Sequence, residues 1–149
     1  MSRTIRRPDE TAMWKVLENN SRSAAGLVLR LAWLEGLTRE EISTLQWENV
    51  SFETRELQLK DRTIPLHEEV EQCLKHRFST FAQRSPYVAI SDRLRDAMHP
   101  VYISRLARDA MDEEESLKNI RLVDLRHDFI IRQLETRPGP MWPGFPALP

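Results

Sequence analysis

The sequence predicts a mostly helical α+β domain with one small antiparallel sheet, and three observations carry that reading. Apolar residues recur at helical spacing in the segments on either side of residues 50–66. Within 50–66 they alternate with polar residues in short runs, as in Leu57-Gln58-Leu59-Lys60, which is strand spacing. Chain breakers crowd one end: of nine prolines, Pro138, Pro140, Pro143, Pro146 and Pro149 lie there, with Gly139 and Gly144. Residues 1–137 therefore form the folded body and 138–149 a Pro-rich tail without regular structure. At 149 residues, one domain with a sizeable core is the economical arrangement.

Each element follows from its own residues. Pro8-Asp9-Glu10-Thr11 starts a first helix, with proline early and acids in the first turn. It runs to Glu18, and Asn19-Asn20-Ser21 breaks it. From Ala24 to Leu37 the chain AAGLVLRLAWLEGL is apolar nearly all round, which marks the central buried helix. Arg30 lies inside it, as a snorkelling stem or half of a buried ion pair. Thr38 with Glu41 forms a capping-box pattern that opens the next helix, which presents Ile42, Leu45 and Trp47 to the core. Val50–Thr54, Glu56–Lys60 and Arg62–Leu66 read as strands, with a tight turn near Asp61 and Pro65 at an edge. A helix over His67–Phe81 aligns Val70, Cys73, Leu74, Phe78 and Phe81, so Cys73 is a small buried hydrophobe. Tyr87–Ile90 is a short strand or a loop. Pro100–Met111 places Tyr102, Ile103, Leu106, Ala107, Ala110 and Met111 on one helical face. Asp112–Glu115 is a solvated helix end, and a last helix over Leu122–Glu135 turns Leu125, Phe129 and Leu134 inward.

Composition excludes several classes of function. Lys and Arg number 22 against 23 Asp and Glu, a net charge of −1, so binding driven by bulk positive charge is out. One cysteine permits neither a disulfide framework nor a cysteine-based zinc site, and His67, His76, His99 and His127 lack metal-ligand spacing. No phosphate-binding loop, dinucleotide fingerprint or nucleophile elbow occurs, and no cofactor is expected. No apolar run reaches membrane-spanning length and no signal-peptide pattern opens the chain, so a cytoplasmic setting is expected, away from membranes.

Three separated segments stand out: GLTREEISTLQWENVSF at 36–52, LQLKDRTIPL at 57–66 and VDLRHDFIIRQL at 123–134. In this order, with these element types between them, they resemble the catalytic domain of tyrosine recombinases, the phage-integrase family. The resemblance covers roughly residues 8–135. Gly36, Leu37, Glu41, Ile42, Leu45 and Trp47 match its first motif. Lys60 matches the lysine of its β-hairpin, and Asp124, Leu125, Arg126 and His127 match its second motif.

In that family a tyrosine attacks a DNA phosphodiester, while arginines with a histidine or lysine stabilise charge on the phosphate oxygens. The resemblance therefore implies Lys60, Arg126 and His127 as a catalytic set with Glu41 in support. The set is vestigial. Thr38 stands at the first arginine position, and Arg39 beside it is turned by about 100°. Val123 stands at the histidine position, and the hairpin is short. Tyr87 and Tyr102 are the only tyrosines and both precede Arg126; Trp142, the one later tryptophan, lies in the Pro-rich end. The expectation is a C-terminally truncated, degenerate member without the family's separate N-terminal helical domain.

The resulting expectation is an integrase-like DNA-binding protein of recombination and integration that does not cleave strands alone. Arg3, Arg6, Arg7, Arg62 and Arg105, with Lys60, Arg93, Arg95, Arg108 and Arg126, are the expected DNA contacts. Duplex DNA is the expected partner, together with a second copy or a full-length recombinase. An alternative keeps the fold as a protein-interaction or regulatory module without DNA. A third reading notes that Gly36–Ile42 resembles the first helix of a helix-turn-helix regulator; the strand-like Trp47–Phe52 that follows argues against it.

Overall fold

The computed structural model describes residues 6–91 and 97–136; Arg3, Arg93, Arg95 and the tail from 138 to 149 lie outside the described residues. Its elements are α1 (Glu10–Asn19), α2 (Ala24–Leu34), α3 (Arg39–Thr44), β1 (Val50–Ser51), β2 (Glu56–Gln58), β3 (Thr63–Pro65), α4 (Glu68–Phe81), α5 (Pro100–Met111) and α6 (Leu122–Thr136), with short 3₁₀ turns at Trp47–Asn49 and Glu115–Leu117. The expected class is what forms: helices around one three-stranded antiparallel sheet of order β1-β2-β3.

α2 is the axis of the core, and α1, α3, α4, α5 and α6 all pack on it. Its N-cap Ser23 accepts from the Gly26 amide at 3.1 Å, and every residue from Gly26 to Leu34 is buried. Each fully buried leucine or larger side chain here contributes about 1.5–3 kcal/mol relative to exposure. Arg30 resolves as a buried cation: it donates to the carbonyls of Asn20, Gly26 and Leu17 at 3.0–3.2 Å and to Glu69 Oε1 at 3.2 Å. Gly26 has no Cβ because the Asn20 carbonyl lies where one would sit.

α2 ends three residues before the expected Leu37. Gly36 adopts φ +72°, a left-handed turn that a Cβ-bearing residue resists, and the Leu37 amide returns to Leu31 O at 3.1 Å. The sheet pairs Val50 with Leu57 and Leu57 with Ile64, which puts Leu57 and Ile64 on its buried face. The strands are shorter than expected. A turn over 52–55, with Arg55 at φ 58°, ends β1 early, and bends at Lys60 and Asp61 trim β2 and β3.

Three expected core positions are corrected. On α4 the inward stripe is Val70, Cys73, Leu74 and Arg77, whereas Phe78 is 49% exposed. Arg77 is buried because it donates to Ile90 O at 3.2 Å and stacks on the Phe81 ring at 4.7 Å. Phe78 instead meets Trp47 and Phe52 edge-on at 5.3 and 5.8 Å, outside the main core. Tyr102 is 40% exposed, because the buried face of α5 is the narrower stripe Ile103, Ala107, Ala110 and Met111. Leu134, near the end of α6, is exposed while Leu125 and Phe129 are buried. Residues 87–90 are a loop with a single bridge, Gln46 to Tyr87, that buries Val88, Ala89 and Ile90. Cys73 is buried as expected, and burial pushes its thiol up.

Glu35 was not singled out in sequence, yet it is a buried carboxyl whose Oε1 accepts from the His67 amide. Burial, partly offset by that bond, pushes its pKa up to about 8 from the ordinary 4.5. The folded state therefore holds a proton that the unfolded chain releases. Stability from this site is complete below pH 4.5 and is lost progressively as pH rises through about 8. Glu35→Gln keeps the acceptor and removes the charge. Its unfolding free energy at pH 8 should exceed that of the parent by about 1–3 kcal/mol, with the gap nearly closed at pH 5. Urea titrations at the two pH values test this, and parallel pH profiles for the two proteins would refute it.

Candidate nucleic-acid interface

Three element ends converge on one face. The turn from α2 into α3 contributes Thr38, whose hydroxyl accepts from the Glu41 amide at 3.1 Å while Glu41 Oε1 accepts from the Thr38 amide at 3.0 Å. This is the capping box read from the sequence. α5 contributes Val101, Ser104, Arg105 and Arg108, a stripe at helical spacing opposite its buried face. α6 contributes its first turn, where Asp124 Oδ2 accepts from the Arg121 amide at 2.9 Å and fixes the entry of the helix. Between them lies an open cleft of about 690 Å3.

The cleft is strongly cationic. Arg39, Arg105, Arg108, Arg121 and Arg126 line it against a single carboxylate, Glu40. Arg39 pairs with Glu40 at 3.1 Å and reaches Ser104 Oγ at 3.3 Å, tying α3 to α5. Arg126 is half-buried, and its Nε donates to the Gly36 carbonyl at 3.2 Å. Burial lowers its pKa, with Glu41 opposing that shift. Glu41 itself is engaged by Arg62, whose two terminal nitrogens meet its oxygens at 2.7 and 2.9 Å. Burial works against the charge of Arg62, but its bonds to Glu41 and Asp61 prevail and raise its pKa. This pairing offsets the charge of the partly buried Glu41 beside the cleft.

Neither a protein-family model nor a curated protein matches this sequence. Solved structures do. The chain superposes on XerA recombinase with a TM-score of 0.80 at 19% identity, covering 91% of this chain and 53% of that one. The fold is that of a tyrosine-recombinase catalytic domain. The lambda integrase catalytic core gives a TM-score of 0.66 at 16% identity, over 88% of this chain and 84% of that one. The Tn1549 transposon integrase, solved in complex with transposon right end DNA, gives 0.72 at 16%, over 93% and 56%. This chain thus spans about half the length of the XerA and Tn1549 proteins.

Within the recombinase fold, the matched motif positions separate into two hollows. Thr38, Val123 and Arg126 line the arginine cleft together. Lys60 is exposed in the bend after β2 and lines a neighbouring hollow of about 450 Å3 with Thr44, Asn49 and Gln58; Glu41 borders it too. Lys60 and Arg126 thus line different hollows. His127, one helical step beyond Arg126, is half-buried, and its Nδ1 has no hydrogen-bond partner among the described residues. Arg39 lines the cleft after all, because the cleft is wide enough to take side chains from both positions 38 and 39.

The arginines expected to contact DNA divide as well. Arg105 and Arg108 are exposed in the cleft. The Arg62 side chain is 2% exposed and faces inward, because Glu41 and Asp61 hold it. Arg7 pairs with Asp128 at 2.7 Å and Glu135 at 3.3 Å, which lashes the segment before α1 to α6. The Arg6 amide donates to Asp124 Oδ1 at 3.3 Å, and its side chain is exposed. Sequence reasoning missed Arg121 and set Arg39 aside. The signal for Arg121 was available: it immediately precedes the helix carrying Arg126, at the entry turn. No group of three metal-ligating side chains occurs among the described residues, and no helix among them is long and apolar enough to cross a membrane.

Proposed function

We propose that this chain is a recombinase-fold DNA-binding protein that grips the phosphate backbone of duplex DNA in the arginine cleft and does not cut strands by itself. The observation that carries this is the convergence of five guanidiniums on one concave face of a chain whose net charge is −1. Such local concentration suits a polyanion, and planar guanidinium suits the paired oxygens of a phosphate. The DNA-bound state of the Tn1549 and lambda integrases supports the same reading. The absence of cutting rests on the tyrosines: Tyr87 and Tyr102 both lie outside the cleft lining. A second copy is a natural companion on DNA, as in the lambda integrase dimer on its core site.

A salt-dependent mobility-shift titration with duplex DNA tests the binding half. The affinity should fall steeply with salt, with a log–log slope of about −0.9 for each phosphate contacted. Absence of any complex even at low salt refutes it. Incubation with a nicked duplex tests the other half: no covalent protein–DNA adduct is expected on a denaturing gel, and an adduct would overturn it.

A further inference from the structure

Position 38 holds a threonine where the recombinase motif carries an arginine, and its hydroxyl is occupied in capping α3. The same cleft receives two guanidiniums from a different element. Arg105 and Arg108 stand three residues apart on α5, so their side chains are neighbours on one stripe. Among the described residues neither is ion-paired, in contrast to Arg7, Arg30, Arg39, Arg55, Arg62 and Arg132, each of which has a carboxylate within 3.3 Å. Two like charges at this spacing oppose helix formation when no counter-charge is near. An anion placed between them reverses the sign of that interaction.

The helix that carries them is rigidly held. Ile103, Ala107 and Met111 bury its other face, and Arg39 fastens it to α3 through Ser104 at 3.3 Å. Arg126 faces α5 from α6, seated on the Gly36 carbonyl at 3.2 Å. Val101 and Val123 flank the arginines and are 51% and 48% exposed, which gives the cleft apolar shoulders suited to deoxyribose edges. We infer that Arg105 and Arg108 stand in for the arginine absent at position 38 and, with Arg126, clamp a backbone phosphate of duplex DNA. The charge of the clamp has moved from the start of α3 to the exposed stripe of α5. This inference rests on the DNA-binding reading of the cleft and goes beyond it in naming the ligating side chains.

The test is a mobility-shift series on the full chain with Arg105→Ala, Arg108→Ala, the double variant, and Arg22→Ala as an exposed control outside the cleft. Each cleft variant should weaken binding five- to tenfold near 0.1 M salt and reduce the salt slope by about 0.9. Arg105→Lys and Arg108→Lys should restore the slope but only part of the affinity, since lysine keeps the charge and loses the two-pronged geometry. Both side chains are exposed, so thermal midpoints should match the parent; if an alanine variant does not fold, the lysine and glutamine variants supply the same comparison. If the parent binds no DNA, the reading of the cleft itself falls. If the parent binds while both cleft variants behave like Arg22→Ala, the clamp falls and the DNA-binding reading stands.

Discussion

Replacing Asp128 with alanine should cost the domain about 2–4 kcal/mol, because it takes the acid from a half-buried cation and leaves a buried indole N–H unsatisfied. The Asp128 side chain is 5% exposed and collects three donors from three parts of the chain. Trp33 Nε1 reaches Oδ2 at 2.8 Å, Arg132 Nε reaches the same oxygen at 3.1 Å, and Arg7 Nε reaches Oδ1 at 2.7 Å. Arg132 also lies over the Trp33 ring at 4.6 Å and donates to the Trp33 carbonyl, so acid, cation and indole form one unit. The pKa of Arg7 is raised, first by its hydrogen bond to Asp128.

The alanine variant leaves the half-buried Arg132 cation without its acid and the buried indole N–H unsatisfied. Asp128→Asn keeps the shape and an acceptor but loses the charge, so it should fall between parent and alanine. Urea denaturation gives the two costs. Hydrogen exchange supplies a readout that simple loss of packing would not: amides of residues 6–9 should lose protection before those of α2, since Arg7 is the tether. A denaturation midpoint within experimental error of the parent for Asp128→Ala would refute the whole account of this cluster.

What could be read in advance divides by the range of the interaction. The capping box at Thr38 and Glu41, the helix start at Pro8–Thr11 and the alternation that buries Leu57 all depend on residues within a few positions, and each was legible. The role of Asp128 was not, because two of its three partners lie 95 and 121 residues away. The exchange of Phe78 for Arg77 on α4 shows the same limit. Periodicity alone places phenylalanine inward, but a carbonyl from residue 90 and an aromatic face from residue 81 make the arginine the better fit. In the cleft, Arg126 was legible through its motif and Arg105 through its charge. The company of Arg39 emerges only when the ends of α3 and α5 meet, whereas Arg121 was signalled by its place just before the helix of Arg126. Arg62 misled for the converse reason: in sequence it is one more surface arginine beside a hairpin, and only the fold reveals Glu41 against it.

Gly36→Ala should cost about 2–4 kcal/mol, and here stability and DNA binding should move together. Two separate penalties meet at this position. A left-handed backbone at φ +72° costs a Cβ-bearing residue roughly 1–2 kcal/mol. The new Cβ would also run into the Phe129 ring, which is buried at the α2–α6 contact and has little room to retreat. Relief by a shift of the turn has its own consequence, since the Gly36 carbonyl seats Arg126 Nε at 3.2 Å. Movement there disturbs one of the bonds that place the motif arginine in the cleft. DNA affinity should therefore drop at temperatures where circular dichroism still reports a fully folded protein, and drop further than in a variant of equal stability loss placed in α1, such as Val16→Ala. Pairing Gly36→Ala with Phe129→Leu separates the contributions. The smaller side chain removes the collision but leaves the backbone strain, and it also gives up packing of its own. The double variant should thus lose less than the sum of the two single changes by about 1–2 kcal/mol, a coupling that strict additivity would exclude.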